Sequence, residues 1–144
     1  MTRLLPAFAA MLLLAPGCTA LPHRTNTVSN QELLRTTRSW DGHPLPPYPK
    51  GQPEVSVRKI VIPPKTHLPL HKHPVINAGV LLRGRLTVVK ENGETLQLTA
   101  GDPISEVVGT WHYGINPGRI PAEILIVYAG VQGTPTSIPA PIKK

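Results

Sequence analysis

Cysteine, aromatic residues and long apolar runs are all scarce in this chain of 144 residues. The single cysteine, Cys18, excludes an intramolecular disulfide. The run from Leu4 to Leu14 is broken by Pro6 and is shorter than the roughly 20 apolar residues that cross a bilayer as a helix. No serine stands in a glycine-framed nucleophile elbow, and no glycine-rich phosphate loop is present. The sequence therefore gives no basis for serine or cysteine nucleophile chemistry.

Acidic residues are also few, and 8 Asp and Glu against 15 Lys and Arg give a formal net charge of +7. The basic residues are scattered and are densest near the termini, in 24–38 and at Lys143 and Lys144. They form no basic stripe with interleaved aromatic residues, so nucleic acid is not an expected partner. Small acidic ligands and anionic envelope surfaces are compatible with this charge.

The N-terminus has the pattern of an export signal over residues 1–20, in which a basic start and an apolar run lead to small residues. Cleavage is expected before Cys18 or after Ala20. The segment resembles a bacterial lipobox, in which the cysteine is acylated, but Leu14 lies one place early and Pro16 replaces a small residue. Lipidation of Cys18 and plain cleavage stay open. We expect an exported bacterial protein, periplasmic or outer-membrane-anchored, with a lipid on Cys18 as its only possible membrane attachment.

Residues 21–53 are predicted to form a short helix followed by a proline-rich arm. Ser29 and Glu32 have capping-box spacing ahead of an apolar pair, which favours a helix within 25–38. Prolines crowd residues 44–49, and because proline lacks an amide donor this stretch cannot join a central strand. We expect the arm to lie against the outside of a sheet or a neighbouring subunit.

Residues 54–131 consist of short β-rich runs separated by turn residues, including the hairpin signal Asn92-Gly93. The predicted strands are 55–62, 67–73, 79–89 continuing past Gly84, 95–99, 104–108, 111–115 and 122–129. Many short strands with almost no helical periodicity predict an all-β protein, an antiparallel sandwich or barrel of a size that suits a small jelly roll. The tail, 132–144, is expected to be an arm or disordered.

Three histidines in this region are the strongest functional signal. His71 and His73 are two residues apart on a predicted strand and so leave it on one face, and imidazole is the commonest nitrogen ligand of transition metals. His112 lies on another predicted strand, and a closed sheet can bring it to the pair. The alternatives are a polar surface strand for the pair and, for His112, a core histidine bonded to the backbone.

The spacing around the histidine pair resembles the first motif of the cupin family, whose domain is a jelly-roll barrel. That motif is G-x5-H-x-H, three or four residues, E, six residues and G. His71, His73 and Gly84 match it. Lys65 replaces the first glycine, and Asn77 stands where the family has glutamate.

The second cupin motif, G-x5-P-x-G-x2-H-x3-N, is also present. It is matched at Gly101, Gly109, His112 and Asn116, with Val107 in place of proline. The resemblance covers residues 54–131. Coincidence at seven spaced positions in a strand-rich chain makes it specific.

The resemblance implies that His71, His73 and His112 bind one divalent transition metal, Fe, Mn, Zn, Ni or Cu, with Asn77 at the position of the fourth ligand. An amide oxygen is a neutral and weaker ligand than a carboxylate, so the site would keep more positive charge and favour an anionic ligand. The resemblance also implies a homodimer, formed through the sheet and the arm, and a small-molecule ligand in the barrel.

Two kinds of function are compatible with such a site. The first is an enzyme of oxygenase or isomerase type acting on a small molecule at the metal, and the second is a non-catalytic binding or sensing module. Proton transfer would need a titratable group beyond the ligands. Glu106 is a weak candidate catalytic residue, and His67 is an alternative at the entrance. A lone glutamate on a strand is more often solvent-facing, and an exposed edge position is the favoured interpretation of His67. Trp111 and Tyr113 flank His112 and are expected to point away from it.

Overall fold

The computed structural model describes residues 27–141. The predicted export signal, including Cys18, lies outside the described residues, as does the start of the predicted helix. The chain divides into two units, Met1–Asn30 and Gln31–Lys144, and every strand belongs to the second. No helix in 27–141 is long and apolar enough to cross a membrane.

The described residues form nine β-strands and no helix, as the all-β prediction requires. The strands are β1 (Pro53–Ile62), β2 (His71–Lys72), β3 (Ile76–Arg83), β4 (Arg85–Lys90), β5 (Thr95–Thr99), β6 (Pro103–Ser105), β7 (His112–Ile115), β8 (Ala122–Val131) and β9 (Ile138–Pro139).

Two sheets face each other across the core of this antiparallel jelly roll. One sheet has the order β1-β8-β3-β6 and the other the order β5-β4-β7-β2-β9. All pairs of neighbouring strands are antiparallel. Alternate residues of each strand point inward, and the buried hydrophobic side chains come from both sheets: Ile62, Leu81, Leu86, Val88, Leu98, Ile104, Ile124 and Ile126.

The predicted helix within 25–38 is wrong for the described residues, because 27–38 contain no helical turn. Leu33 and Leu34, whose burial would have to stabilise it, are 49% and 42% exposed. An isolated helix this short is marginal in water when no apolar face is packed against the fold. Capping-box spacing was therefore not sufficient.

The segment around the histidine pair forms much less strand than the predicted 67–73. Only His71 and Lys72 are in β2, with isolated bridges at His67 and His73. Pro69 and Pro74 lie in or next to this stretch and have no amide donor for a ladder. The short strand still brings His71 and His73 to the barrel interior.

The proline-rich tail is an ordered arm as far as residue 141. Its strand β9 pairs with β2, where His71 faces Pro139 and Lys72 faces Ile138. The amide of Ala140 donates to the carbonyl of Leu70 at 2.9 Å. The tail therefore holds the outer side of the strand that starts the histidine cluster.

Candidate metal centre

The strand pairing brings the three predicted histidines together. His71 on β2 lies directly opposite His112 on β7, and His73 follows β2 in a bridge to Val108. One ligand atom from each ring lies within 4.8 Å of the other two. The ring centroids are 4.6 to 5.0 Å apart. His73 and His112 are buried, at 5% and 2% exposure.

Left-handed backbone conformations occur where the two motifs require glycine. Gly109 has φ of 72° and its amide donates to the carbonyl of His73 at 2.8 Å, which ties the turn before His112 to the histidine pair. Lys65, which replaces the first motif glycine, is the one described residue other than glycine with positive φ, at 57°. The backbone therefore keeps the motif geometry even where the side chain departs from it.

Hydrogen bonds to backbone carbonyls fix which nitrogen of each ring is free. Nδ1 of His71 bonds to the oxygen of Pro69 at 2.8 Å, Nδ1 of His73 to that of Thr136 at 2.7 Å, and Nδ1 of His112 to that of Thr110 at 2.9 Å. A carbonyl oxygen only accepts, so each Nδ1 carries the hydrogen. Each Nε2 then presents a lone pair, and the one on His112 is buried without a partner. Three lone pairs with no donor suit a bound cation.

Burial keeps two of these rings neutral. Burial lowers the pKa of His73 to about 4. The hydrogen bond to Thr136 raises this pKa, whereas the neighbouring rings of His112 and His71 lower it further. Burial lowers the pKa of His112 to about 4 in the same way, against the hydrogen bond to Thr110. Both rings can therefore offer lone pairs throughout the physiological range.

Asn77 and Glu106 line the same cavity of about 60 Å³ as the histidines. Asn77 is 1% exposed; its Nδ2 donates to the carbonyl of Val75 at 3.3 Å, and its Oδ1 has no partner. The remaining lining is mostly apolar and consists of Ile60, Ile62, Leu68, Leu86, Val88, Ile124 and Ile126 together with Gly114 and Tyr128. An apolar wall with a few convergent polar groups is typical of a small-molecule site.

The carboxyl of Glu106 lies beside the cluster, with Oε2 3.8 Å from Nε2 of His112. Burial raises its pKa to about 7. The amide of Val107 and the indole of Trp40 lower the pKa, but by less than burial raises it. Nε1 of Trp40 is buried and makes no complete hydrogen bond. Because the pKa of His112 is about 4, no pH leaves both groups charged, so this contact is not an ion pair in the metal-free protein.

The other sequence candidates lie away from the cluster. His67 is exposed and stacks on Tyr113 with ring centroids 6.4 Å apart. The ring of Trp111 contacts Nζ of Lys72 at 4.7 Å. Trp40 packs against the hydrophobic core.

Two contributors to the site were missed from the sequence. Tyr128 lines the cavity and meets His73 edge-on at 5.5 Å between centroids, and burial raises its pKa. Thr136 acts through its backbone carbonyl, which accepts from His73. A backbone carbonyl cannot be recognised from residue type, whereas Tyr128 could have been found, because it continues the buried alternation of Ala122, Ile124 and Ile126 along β8.

Comparisons with known proteins agree with the jelly-roll fold. A family model described as the cupin domain matches residues 58–128. No curated protein matches. Similar solved structures include an oxalate oxidase in complex with the substrate analogue glycolate, with a TM-score of 0.52, 21% identity and coverage of 61% of this chain and 47% of that chain.

Two further structures come from named organisms. The DMSP lyase DddQ from Ruegeria pomeroyi has a TM-score of 0.54 and 20% identity, with 62% of this chain and 45% of that chain covered. The polyketide cyclase RemF from Streptomyces resistomycificus has a TM-score of 0.53 and 18% identity, with 62% and 63% covered. The chain thus spans less than half of the oxidase and lyase chains, and likeness at these identities shows the fold.

Proposed function

Because this chain belongs to the cupin superfamily, we propose that it holds one divalent transition metal at His71, His73 and His112 and acts there on a small molecule. The observation that carries the proposal is the convergence of three rings whose Nδ1 atoms are all bonded to backbone carbonyls. Their Nε2 lone pairs are aimed at one another, which costs free energy unless a cation lies between them.

The surroundings of the histidines indicate the kind of ligand. Three neutral imidazoles leave the charge of a divalent ion largely uncompensated, which favours an anionic molecule. A cavity of about 60 Å³ admits only a few non-hydrogen atoms, and most of its lining is apolar. When bound, the ion would polarise the small molecule or activate oxygen or water.

Among the enzymatic alternatives, the lining favours oxygenase over isomerase chemistry. An isomerase must move protons, and Glu106 is the one carboxyl group that lines the cavity in the described part of the chain. Its Oε2 lies against a ligand histidine rather than in open space. The same scarcity of acid-base groups supports the second candidate, a cupin that binds or senses a small anion without converting it.

We also propose that the protein is exported and that any membrane attachment is a lipid on Cys18. We further propose that it forms a homodimer. Support for the dimer comes from the outward face of the β1–β8 pair, where Val55, Val57 and Val127 are 67%, 62% and 40% exposed. Apolar patches of this kind mark contact surfaces. Light scattering on the mature protein should give twice the mass of one chain, and a monomer at micromolar concentration would contradict the dimer.

Elemental analysis tests the metal proposal. Purified protein should contain close to one transition ion per chain, and His71→Ala with His73→Ala should reduce this to near zero. His67→Ala is the matched control and should keep the metal, because His67 lies outside the cluster. Equal metal in the double variant and the wild type would contradict the site.

Catalysis is tested on the metal-loaded protein with small organic acids in an oxygen electrode. Oxygen uptake that requires both the acid and His112 supports the oxygenase. Saturable binding of an acid without turnover, measured by calorimetry, supports the binding module instead. Iron in the purified protein favours the oxygenase, and zinc favours a hydrolytic or structural role.

A further inference from the structure

Three buried acceptor atoms in the cavity have no hydrogen-bond partner. They are Nε2 of His112, Oδ1 of Asn77 and Oε2 of Glu106. Burial of a polar atom without a partner is costly, and most native proteins avoid it. All three atoms carry free lone pairs, because Nδ1 of His112 and Nδ2 of Asn77 both donate elsewhere.

The strand register places Glu106 next to the position of the missing family glutamate. Ala78 on β3 faces Ser105 on β6, and one step further the amide of Glu106 donates to the carbonyl of Asn77 at 3.1 Å. Residues 77 and 106 are therefore cross-strand neighbours, whose side chains emerge on one side of the sheet. The chain lacks a carboxylate at residue 77 and has one directly across the strand pair.

The carboxylate lies at the His112 side of the cluster. Its Oε2 is 3.8 Å from Nε2 of His112, while the three ligand atoms within 4.8 Å of one another are those of the histidines alone. Rotation about the side-chain bonds of Glu106 moves its oxygens over several ångströms without moving the backbone.

We propose that Glu106 is the carboxylate ligand of the metal centre, in place of the glutamate that the family motif has at residue 77. This rests on the proposed function, since it adds a fourth ligand to the same ion. A carboxylate reduces the charge of a divalent site by one, which leaves a net charge of +1 that still attracts an anionic molecule. It also binds more strongly than the amide of Asn77, which stays beside it as a neutral acceptor. The relocated ligand also explains how residue 77 can be asparagine.

Metal affinity and the spectrum of the cobalt-substituted protein test this assignment. Glu106→Gln keeps the size of the side chain and removes the charge, and we expect it to weaken Co²⁺ and Zn²⁺ binding about 100-fold in competition with a chromophoric chelator. The visible d–d bands of the Co²⁺ protein should shift. Asn77→Ala is the matched control at the neighbouring position and should change affinity less than Glu106→Gln.

A swap variant, Asn77→Glu with Glu106→Asn, returns the carboxylate to the motif position while conserving total side-chain volume. It should recover most of the affinity that Glu106→Gln loses. Wild-type affinity and an unchanged Co²⁺ spectrum in Glu106→Gln would overturn the assignment while leaving the three-histidine site intact. Loss of metal in His71→Ala/His73→Ala alone would then identify a site of three histidines without a carboxylate.

Discussion

Two buried polar clusters in this barrel differ in whether their hydrogen bonds are complete. In the first, Nζ of Lys90 donates at 2.8 Å to both Asp41 and Glu94, and Asp41 also accepts from Ser39 and from the amide of His43. In the second, the histidine cluster, the cavity-facing atoms are acceptors without donors. Lys90 and His112 are cross-strand partners, so the clusters occupy neighbouring positions of one sheet.

The difference separates a structural role from a functional one. The Asp41–Lys90 cluster attaches the arm to the barrel and needs nothing from solution, since its donors and acceptors match. The histidine cluster has its Nδ1 atoms bonded and its Nε2 atoms free, which costs stability until a cation binds. Buried polar residues alone would not have distinguished the two clusters; the count of donors against acceptors does.

Breaking the matched cluster should have the largest effect on stability and little effect on metal. Lys90→Met leaves the carboxylate of Asp41, whose side chain is 2% exposed, without its charge partner. We expect the free energy of unfolding to fall by about 3 to 5 kcal/mol in urea titration, with metal content per folded chain unchanged. Lys59→Met, which removes an exposed pair with Glu123, is the control and should cost under about 1 kcal/mol. Equal losses from the two substitutions would remove the distinction.

Removing the tail should weaken the metal site. A chain ending at Gln132 lacks β9 and the Thr136 carbonyl that fixes the tautomer of His73. We expect metal affinity to fall by about 10- to 100-fold, measured by chelator competition on the folded protein. A chain ending at Pro141, which keeps β9, is the control and should bind like the full chain. Unchanged affinity in the shorter chain would show that the carbonyl is dispensable.

The two clusters should affect the free energy of unfolding in different pH ranges. In metal-free protein His73 and His112 have pKa values near 4 against 6.5 for an ordinary histidine, so the unfolded chain binds more protons and stability falls as pH drops from 6.5 to 4. Glu106 has the opposite effect. Burial raises its pKa from 4.5 to about 7, so its contribution to the free energy of unfolding is lost as pH rises from 4.5 to 7. Two histidines outweigh one glutamate, with a net slope of at most about 1.4 kcal/mol per pH unit between pH 4.5 and 6.5.

Asp41 acts at lower pH. Burial opposes its ionisation, but the hydrogen bonds from Lys90, Ser39 and His43 outweigh it and hold the pKa well below the usual range. Its contribution is therefore present above about pH 4 and is lost as pH falls further. Lys90→Met should flatten the curve below pH 4, and Glu106→Gln should steepen it between 4.5 and 6.5. A single transition altered alike by both variants would contradict the separation.

Much of the fold and the core of the cluster followed from sequence. Alternation and turn residues predicted β5 at its observed bounds and strand on both sides of Gly84, where an added Cβ would lie 2.7 Å from the carbonyl oxygen of Pro121. The i, i+2 spacing and the second motif predicted that His71, His73 and His112 meet at one place, which is where the structure puts them. These features depend on residue type and spacing, which sequence records directly.

The rest depends on long-range contacts that sequence spacing does not carry. Thr136 contributes only a carbonyl, 63 residues from His73 along the chain. The proximity of Glu106 to His112 follows from the register of β6 against β3. The helix predicted within 25–38 is absent from the described residues 27–38, because local capping signals do not compensate for the lack of a packing partner for Leu33 and Leu34.

X-ray absorption of the metal-loaded protein tests the central claim most directly. If three Nε2 lone pairs converge on one ion, the spectrum should contain the multiple-scattering features of three imidazole ligands. His112→Ala should reduce these to two, while Lys90→Met should keep all three. A wild-type spectrum with one imidazole or none, at full metal occupancy, would place the ion elsewhere and contradict the account.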